Sequence, residues 1–272
     1  MLLEIIEKID AWRAKYDEWR GDAHRSSGLD IGDGYPYVVN RRSPFRPARS
    51  ALPMLNLALI SSAGAYIDGT EPFAADKAGG DTTFREIPTE IEAQDLKYVA
   101  RGYDPKAVLA DLNAQIPLGR LFEFVSNGIL GQLNPAFWSF CGFIPDAARV
   151  AEQLAPQLVE RAVRYEVQAA LLIPASRLCH QSLALVARAL EGAGIPTMLI
   201  AVDKEVVEAA HPPRAALYRG QFGSVAGQPN WPEHQRRVLD ESLRLLEPLD
   251  QVVIRRLTVD LESEVEKQRG EK

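Results

Sequence analysis

Apolar residues recur at Leu3, Ile6, Ile9, Trp12, Tyr16 and Trp19, three or four positions apart, and predict a helix over residues 2–20 with one apolar face. Residues 21–53 break that rhythm. They are dense in turn formers and carry five arginines, so they read as an irregular arm. The arm is either a solvated loop or the lining of a cleft whose arginines hold an anion. Residues 54–61 are a short apolar run of strand length that enters the small-residue turn SSAGAY at 61–66. No period organises residues 67–88, whose Gly, Asp and Thr content suggests loops with closely held side chains. Residues 104–117 read as a connection with a short helix, and 118–128 as a helix ending near Gly128. Residues 133–146 are aromatic and turn-rich.

The second half is cleaner. Residues 146–167 have helical spacing with Pro156 as a kink point, and 168–174 form a short buried strand. A helix over 176–194, with Gly192 and Gly194 at its exit, leads to a second buried strand at 195–202. Strand, helix and strand make a βαβ unit, hence a right-handed parallel crossover. Residues 212–220 offer another strand, and a Gly-rich loop then feeds a helix beginning near Pro232. The expected fold is α/β, a parallel sheet with Rossmann-like βαβ units, with two similar lobes as one arrangement. Residues 1–53 form the N-terminal helix and arm, 54–250 the α/β domain, and 251–272 a C-terminal extension with a charged end. Any lobe boundary falls near 130–146.

Composition narrows the chemistry. The 272 residues carry 31 Lys and Arg against 37 Asp and Glu, a net charge of −6. That balance gives no general attraction to nucleic acid or to an anionic membrane. Two cysteines cannot build a disulfide framework or a four-thiolate metal site. No apolar run reaches the roughly 20 residues of a membrane span, and the N-terminus lacks the pattern of a signal peptide. A cytoplasmic protein with reduced thiols is expected. The loop at 221–232 has neither a Walker lysine nor a GxGxxG fingerprint, and the four histidines are scattered, so no cofactor or metal is expected.

Cys179 is the leading chemical candidate. The strand at 168–173 delivers the chain to the carboxyl edge of the sheet, where open α/β sheets place ligands. With Ser176 as N-cap, Cys179 is the third helical residue, where free N–H groups and the positive helix end favour a thiolate. His180 could move a proton, although on a helix it points about 100° away from Cys179. Gln181, Ser61 and Ser62 are candidate substrate donors, as is Ser176 itself. Arg85 is the candidate clamp for a substrate carboxylate, with Glu86 either in the pocket or neutralising Arg85. Cys141 can meet Cys179 only if the fold brings its loop to the sheet edge. It would then act as half of a dithiol, as an opposed acid/base thiol or as a spectator; otherwise it packs among Trp138, Phe140 and Phe143.

Several segments, taken in order, resemble the selenoprotein B family of glycine, sarcosine, betaine and D-proline reductases. They are SSAGAY, EPF, GDTTFREIP, CGFIPD, LLIPASRLCHQSLALVARALEGAGIPT and PPRAALYRGQFGSVAGQPNWPEHQRRVL, and they cover most of residues 55–240. The resemblance implies attack by a selenol or thiol on an activated amino-acid derivative, with C–N cleavage. It also implies a reactive selenocysteine or cysteine three positions before the cysteine of a Cys-His-Gln segment. Here Cys179, His180 and Gln181 match that segment, whereas Ser176 stands at the leading position. A serine hydroxyl is far too weakly acidic to replace a selenolate, so the two-centre cycle cannot run through residues 176 and 179.

Three classes of function remain. The first is a thiol-dependent, reductase-like enzyme acting on a small carboxylate-bearing molecule, regenerated by Cys141 or by an external thiol or other electron donor. The second is a non-redox lyase, desulfurase or cofactor-independent racemase using Cys179, with Cys141 opposite it in the racemase. The third is a non-catalytic subunit of a reductase complex. A reductase-complex partner or a second copy of the chain is the expected macromolecular partner; nucleic acid and membrane are not.

Overall fold

The computed structural model describes residues 4–21, 31, 34–74, 76, 79–247 and 251–260. The first positions of the expected N-terminal helix, Arg25 of the arm and the charged C-terminal end lie outside them. Helix α1 spans Ile9–Gly21 and starts later than its periodicity suggests. Lys8 adopts a left-handed backbone (φ 55°), which a helix cannot continue through, and its carbonyl accepts the first helical bond from Trp12 N.

The elements that follow are β1 (Asn56–Ser61), β2 (Ala65–Ile67), β3 (Arg85–Pro88), β4 (Leu96–Tyr98), α2 (Lys106–Ala110), α3 (Leu118–Ser126), β5 (Gln132–Leu133) and β6 (Ala136–Ser139). After them come α4 (Ala147–Arg149), α5 (Ala155–Arg164), β7 (Ala169–Ile173), α6 (Arg177–Gly192) and β8 (Thr197–Ala201). The chain continues with α7 (Lys204–Ala210), β9 (Arg214–Leu217), α8 (Pro232–Arg244) and β10 (Val253–Arg256). A π-helical turn, Val150–Leu154, joins α4 to α5. Pro156 has no N–H to continue the ladder, and the Gln157 side chain donates to the Gln153 carbonyl there.

Eight strands form one sheet in the order β10–β9–β8–β7–β1–β6–β3, with β5 also pairing with β1. All its pairings are parallel except β3 with β6. The result is an alternating α/β topology, broadly Rossmann-like, around a largely parallel mixed sheet. Strands from both sides of residues 130–146 meet in it, because β1 pairs with β6 on one side and β7 on the other. The central strands are buried on both faces. In β1, Ala58 and Ile60 pack with Leu158, Leu183 and Leu190 on the α5–α6 face, while Leu57 and Leu59 pack with Leu121, Phe124 and Leu239 on the α3–α8 face. Each such leucine or isoleucine contributes roughly 1.5–3 kcal/mol of burial.

Several strands were not legible as strands, β6, β3 and β10 of the main sheet among them. β6 lies in the aromatic stretch with all four residues buried, so it shows no alternation. β3 is a four-residue edge strand inside the aperiodic region, and β10 pairs with β9 from within the C-terminal extension.

The described part of the arm is held by cations of the body. Arg188 of α6 donates to the carbonyls of Glu4, Ile5, Arg42 and His211 and to Ser43 Oγ. Arg214 donates to the Arg46 carbonyl and pairs at 2.5 Å with Glu191, both side chains being fully buried. Glu191 also accepts from Arg46 N, Thr197 N and Thr197 Oγ1. Glu191→Ala would strand a buried guanidinium and three donors, so a loss of about 3–5 kcal/mol is expected in urea unfolding. Pairing it with Arg214→Met should recover part of that loss.

Candidate functional site

The β7–α6 corner is the starting point. After Ile173 the chain turns through Pro174 and Ala175 to Ser176, whose extended backbone caps α6. Ser176 Oγ accepts from Cys179 N at 3.4 Å and donates its own proton to Cys179 Sγ at 3.0 Å. One hydroxyl therefore satisfies a free helical N–H and holds the thiol. Cys179 Sγ also lies 3.8 Å from the Ser62 carbonyl. Ser62 follows β1, and its Oγ accepts from Ala175 N, tying the ends of β1 and β7 together.

The segment after β6 closes the third side. A Cβ on Gly142 would stand 2.4 Å from Ser62 Cβ and 2.6 Å from Cys179 Sγ, so only glycine lets this backbone pass. Ser182 Oγ donates to the Gly142 carbonyl and fixes the segment against α6. Cys141 precedes it, bridged to Ala63, with its thiol directed at the Val99 carbonyl 3.7 Å away. Both cysteines are buried, Cys179 at 1% exposure and Cys141 at 4%. Burial first, and the neighbouring Cys179 next, push the Cys141 thiol up to about 12.

Residues 99–104, between β4 and α2, roof the pair. Gly102 takes φ 73°, and a Cβ there would meet Ser176 and the Phe143 ring at 3.1 Å. Tyr103 donates its hydroxyl to the Ala63 carbonyl at 2.6 Å, and Gly223 of the Gly-rich loop packs on its ring. None of Val99, Gly102, Tyr103 and Gly142 stood out in the sequence. The glycines could have signalled a close approach, but no period marks that stretch.

The other expected residues are placed as follows. His180 Nδ1 faces the Ser176 carbonyl at 2.7 Å and Nε2 faces Val202 N at 3.1 Å. A carbonyl can only accept and an N–H can only donate, so the proton sits on Nδ1 and neither nitrogen is left for Cys179. Gln181 bonds Val38 N and the Tyr35 hydroxyl, anchoring the arm. Ser61 Oγ accepts from Ala63 N within the β1 turn. Arg85 and Glu86 point to opposite faces of β3. Arg85 donates to the carbonyls of Glu71, Pro72 and Phe84 and lies over the Phe73 ring. Glu86 accepts from Trp138 and Tyr165 instead of pairing with Arg85. The structure thus brings together Ser62, Cys141, Ser176 and Cys179, and leaves His180, Gln181, Arg85 and Glu86 engaged elsewhere.

Two surface grooves, of about 700 and 580 Å³, are lined by neither cysteine. Among the described residues, no group of three His, Cys, Asp or Glu side chains gathers as a metal set, and no helix is long and apolar enough to cross a membrane.

Fold and site together define an α/β protein with two buried thiols at the carboxyl edge of a parallel sheet. The D-proline reductase subunit gamma of Acetoanaerobium sticklandii is 31% identical over 200 residues, covering 74% of this chain and 81% of that one. The glycine reductase complex component B subunit gamma of Symbiobacterium thermophilum is 27% identical over 172 residues, 60% of this chain and 38% of that one. The sarcosine reductase complex component B subunit beta of Peptoclostridium acidaminophilum is 27% identical over 186 residues, 65% of this chain and 41% of that one. The chain belongs to the glycine/sarcosine/D-proline reductase B-subunit family. It spans about two fifths of the glycine and sarcosine relatives. No family model and no solved structure matches it.

Burial holds the His180 imidazolium down to about 4. Its folded value lies below the ordinary 6.5, so the stability it contributes is present above that pH and is lost as pH falls towards 4. ¹⁵N-histidine spectra should show a neutral Nδ1–H ring for His180 at pH 5.5, where an exposed histidine is largely charged. The unfolding free-energy difference between the wild type and His180→Gln should shrink over the same fall in pH.

Proposed function

We propose that the chain is a thiol-dependent, reductase-like subunit acting on a small carboxylate-bearing molecule of the amino-acid type, with Cys179 as nucleophile and Cys141 as resolving thiol. The observation that carries this reading is the Ser176 hydroxyl donating to Cys179 Sγ in the first turn of α6, with the Cys141–Gly142 segment packed against the same sulfur. The hydroxyl fixes the position of that sulfur at the start of the helix.

In the reductive cycle, Cys179 sulfur displaces an amine from the activated carbon; a C–S bond forms, a C–N bond breaks, and the amine leaves with a proton. Cys141 sulfur then attacks Cys179 sulfur, forming a disulfide and expelling the carbon fragment, which takes up a proton. An external dithiol returns two electrons and two protons to the disulfide. Ser176 does not enter this cycle as a redox centre; it holds Cys179. The three relatives are named for reduction of D-proline, glycine and sarcosine, all amino carboxylates.

The depth of both thiols favours a second reading, a non-catalytic subunit in which the cysteines are packing groups. Iodoacetamide labelling of the native protein between pH 6 and 10, mapped by mass spectrometry, separates the two. The enzyme reading expects Cys179 to label well before Cys141, which stays protonated until pH approaches about 12. Labelling of Cys179 only after unfolding would leave the packing reading. Diamide treatment should join Cys141 to Cys179, and failure to do so would remove Cys141 as the resolving thiol.

A further inference from the structure

The sequence allows the arginines of the arm to line a cleft that holds an anion, and two of them, Arg41 and Arg42, border the larger surface groove, of about 700 Å³. One bank of that groove is the start of α1. Lys8, Ala11, Trp12 and Lys15 recur at the spacing of a single helix face and all line it. The other bank is the arm, and the Trp12 indole N–H ties the two together by donating to the Pro36 carbonyl at 2.6 Å. In a chain of net charge −6, this groove gathers Lys8, Lys15, Arg41, Arg42 and Arg188 against only Glu4 and Glu7. Glu7 is engaged already, since its Oε1 accepts from Arg41 N and Arg42 N, and Arg188 is taken up by carbonyls. The side chains of Lys8, Lys15, Arg41 and Arg42 are exposed, and none forms an ion pair with a described carboxylate. The arm is extended along the groove. Val38 N donates to Gln181 Oε1 and Asn40 N to the Ala209 carbonyl, so alternate N–H groups face the body. Val39 N, between them, has no described acceptor, and the Val39 side chain is 65% exposed.

We propose that this groove docks an extended acidic segment of a partner polypeptide, with its carboxylates on the four exposed cations and one of its carbonyls on Val39 N. Lys8 and Lys15 stand about two helical turns apart, roughly 10 Å. An extended chain rises about 3.3 Å per residue, so acidic residues three positions apart reach both lysines. A single phosphate is too short to do so. An apolar residue of the segment covers Val39, and the main chain adds to the arm as to the edge of a sheet. The charges supply steering and selectivity more than affinity, because each exposed pair is weak. The bond from Val38 N to Gln181 sets the docked partner against the helix that carries Cys179, yet the inference does not depend on the thiol chemistry.

The test uses the full chain and a fluorescein-labelled peptide with Glu at every third position and Val and Thr between. A twin peptide carries Gln for Glu, and binding is read by fluorescence anisotropy at low salt. The acidic peptide should bind saturably and its twin should not. K8Q/K15Q and R41Q/R42Q should each weaken binding roughly fivefold, the scale of two exposed ion pairs. K97Q/K106Q, which removes the same charge elsewhere on the surface, should leave binding unchanged. Hydrogen exchange gives a second readout that needs no variant: bound peptide should slow exchange at Val39 N.

No saturable binding of the acidic peptide would overturn the proposal, as would equal binding of the Gln twin. An equal loss in K97Q/K106Q would reduce the effect to general charge attraction and overturn it too. Unchanged exchange at Val39 N in the bound state would remove the arm as an edge for the segment. Tighter binding of tripolyphosphate or of single-stranded RNA than of the peptide would assign the groove to phosphate ligands and overturn the peptide reading.

Discussion

A helix that starts directly from a buried strand brings unsatisfied N–H groups into the interior, and something must bond them there. At the β7–α6 corner the Ser176 hydroxyl does this for Cys179 N, and with its proton it also holds Cys179 Sγ. The rest of the site is fitted around that corner. Ser62 Oγ bonds Ala175 N, Gly142 passes with no side chain, and Gly102 turns through a left-handed backbone against Ser176. A side chain at either glycine would press on the capped pair. The same oxygen thus serves helix stability and thiol placement, which gives Ser176 a role its weak acidity does not exclude.

The second set of constraints lies on the opposite side of α6. Gln181, Arg188 and Glu191 face the arm and hold it through backbone groups. Arg188 is buried against carbonyls and a hydroxyl, whose dipoles compensate its charge together with the nearby Glu7 carboxylate. Helix α6 therefore has work on both flanks: a thiol at its first turn on one, and a clamp for the arm on the other. His180, between them, locks α6 to the end of β8 through Val202 N. This explains why adjacent residues in one short motif have separate destinations.

Much of the α/β half was legible in the sequence, because β7, α6 and β8 combine apolar runs with a capping serine and exit glycines. The Ser176 cap and the place of Cys179 followed from counting along that helix. Other parts were hidden for physical reasons. β6 is buried on both faces and carries aromatics, so neither alternation nor β-branched enrichment marks it. Arg85 looked like a clamp because residue type says nothing about competing acceptors, and three backbone carbonyls within its own loop take its donors. The roof at 99–104 has no period at all, and its importance comes only from where β4 and α2 place it. The meeting of Cys141 with Cys179 depended on β6 pairing with β1, a long-range register that no local pattern encodes.

That register has a kinetic side. β1 pairs with β7 across more than a hundred residues, Leu57 standing opposite Ala169, and with β6 at Ile60 opposite Trp138. Contacts so distant in sequence close slowly, since loop entropy must be overcome before they form. During synthesis, Ser62 and Cys141 emerge well before β7 and the cap of α6 exist. The two sulfurs are therefore strangers in the nascent chain until β7 and the first turn of α6 have been made.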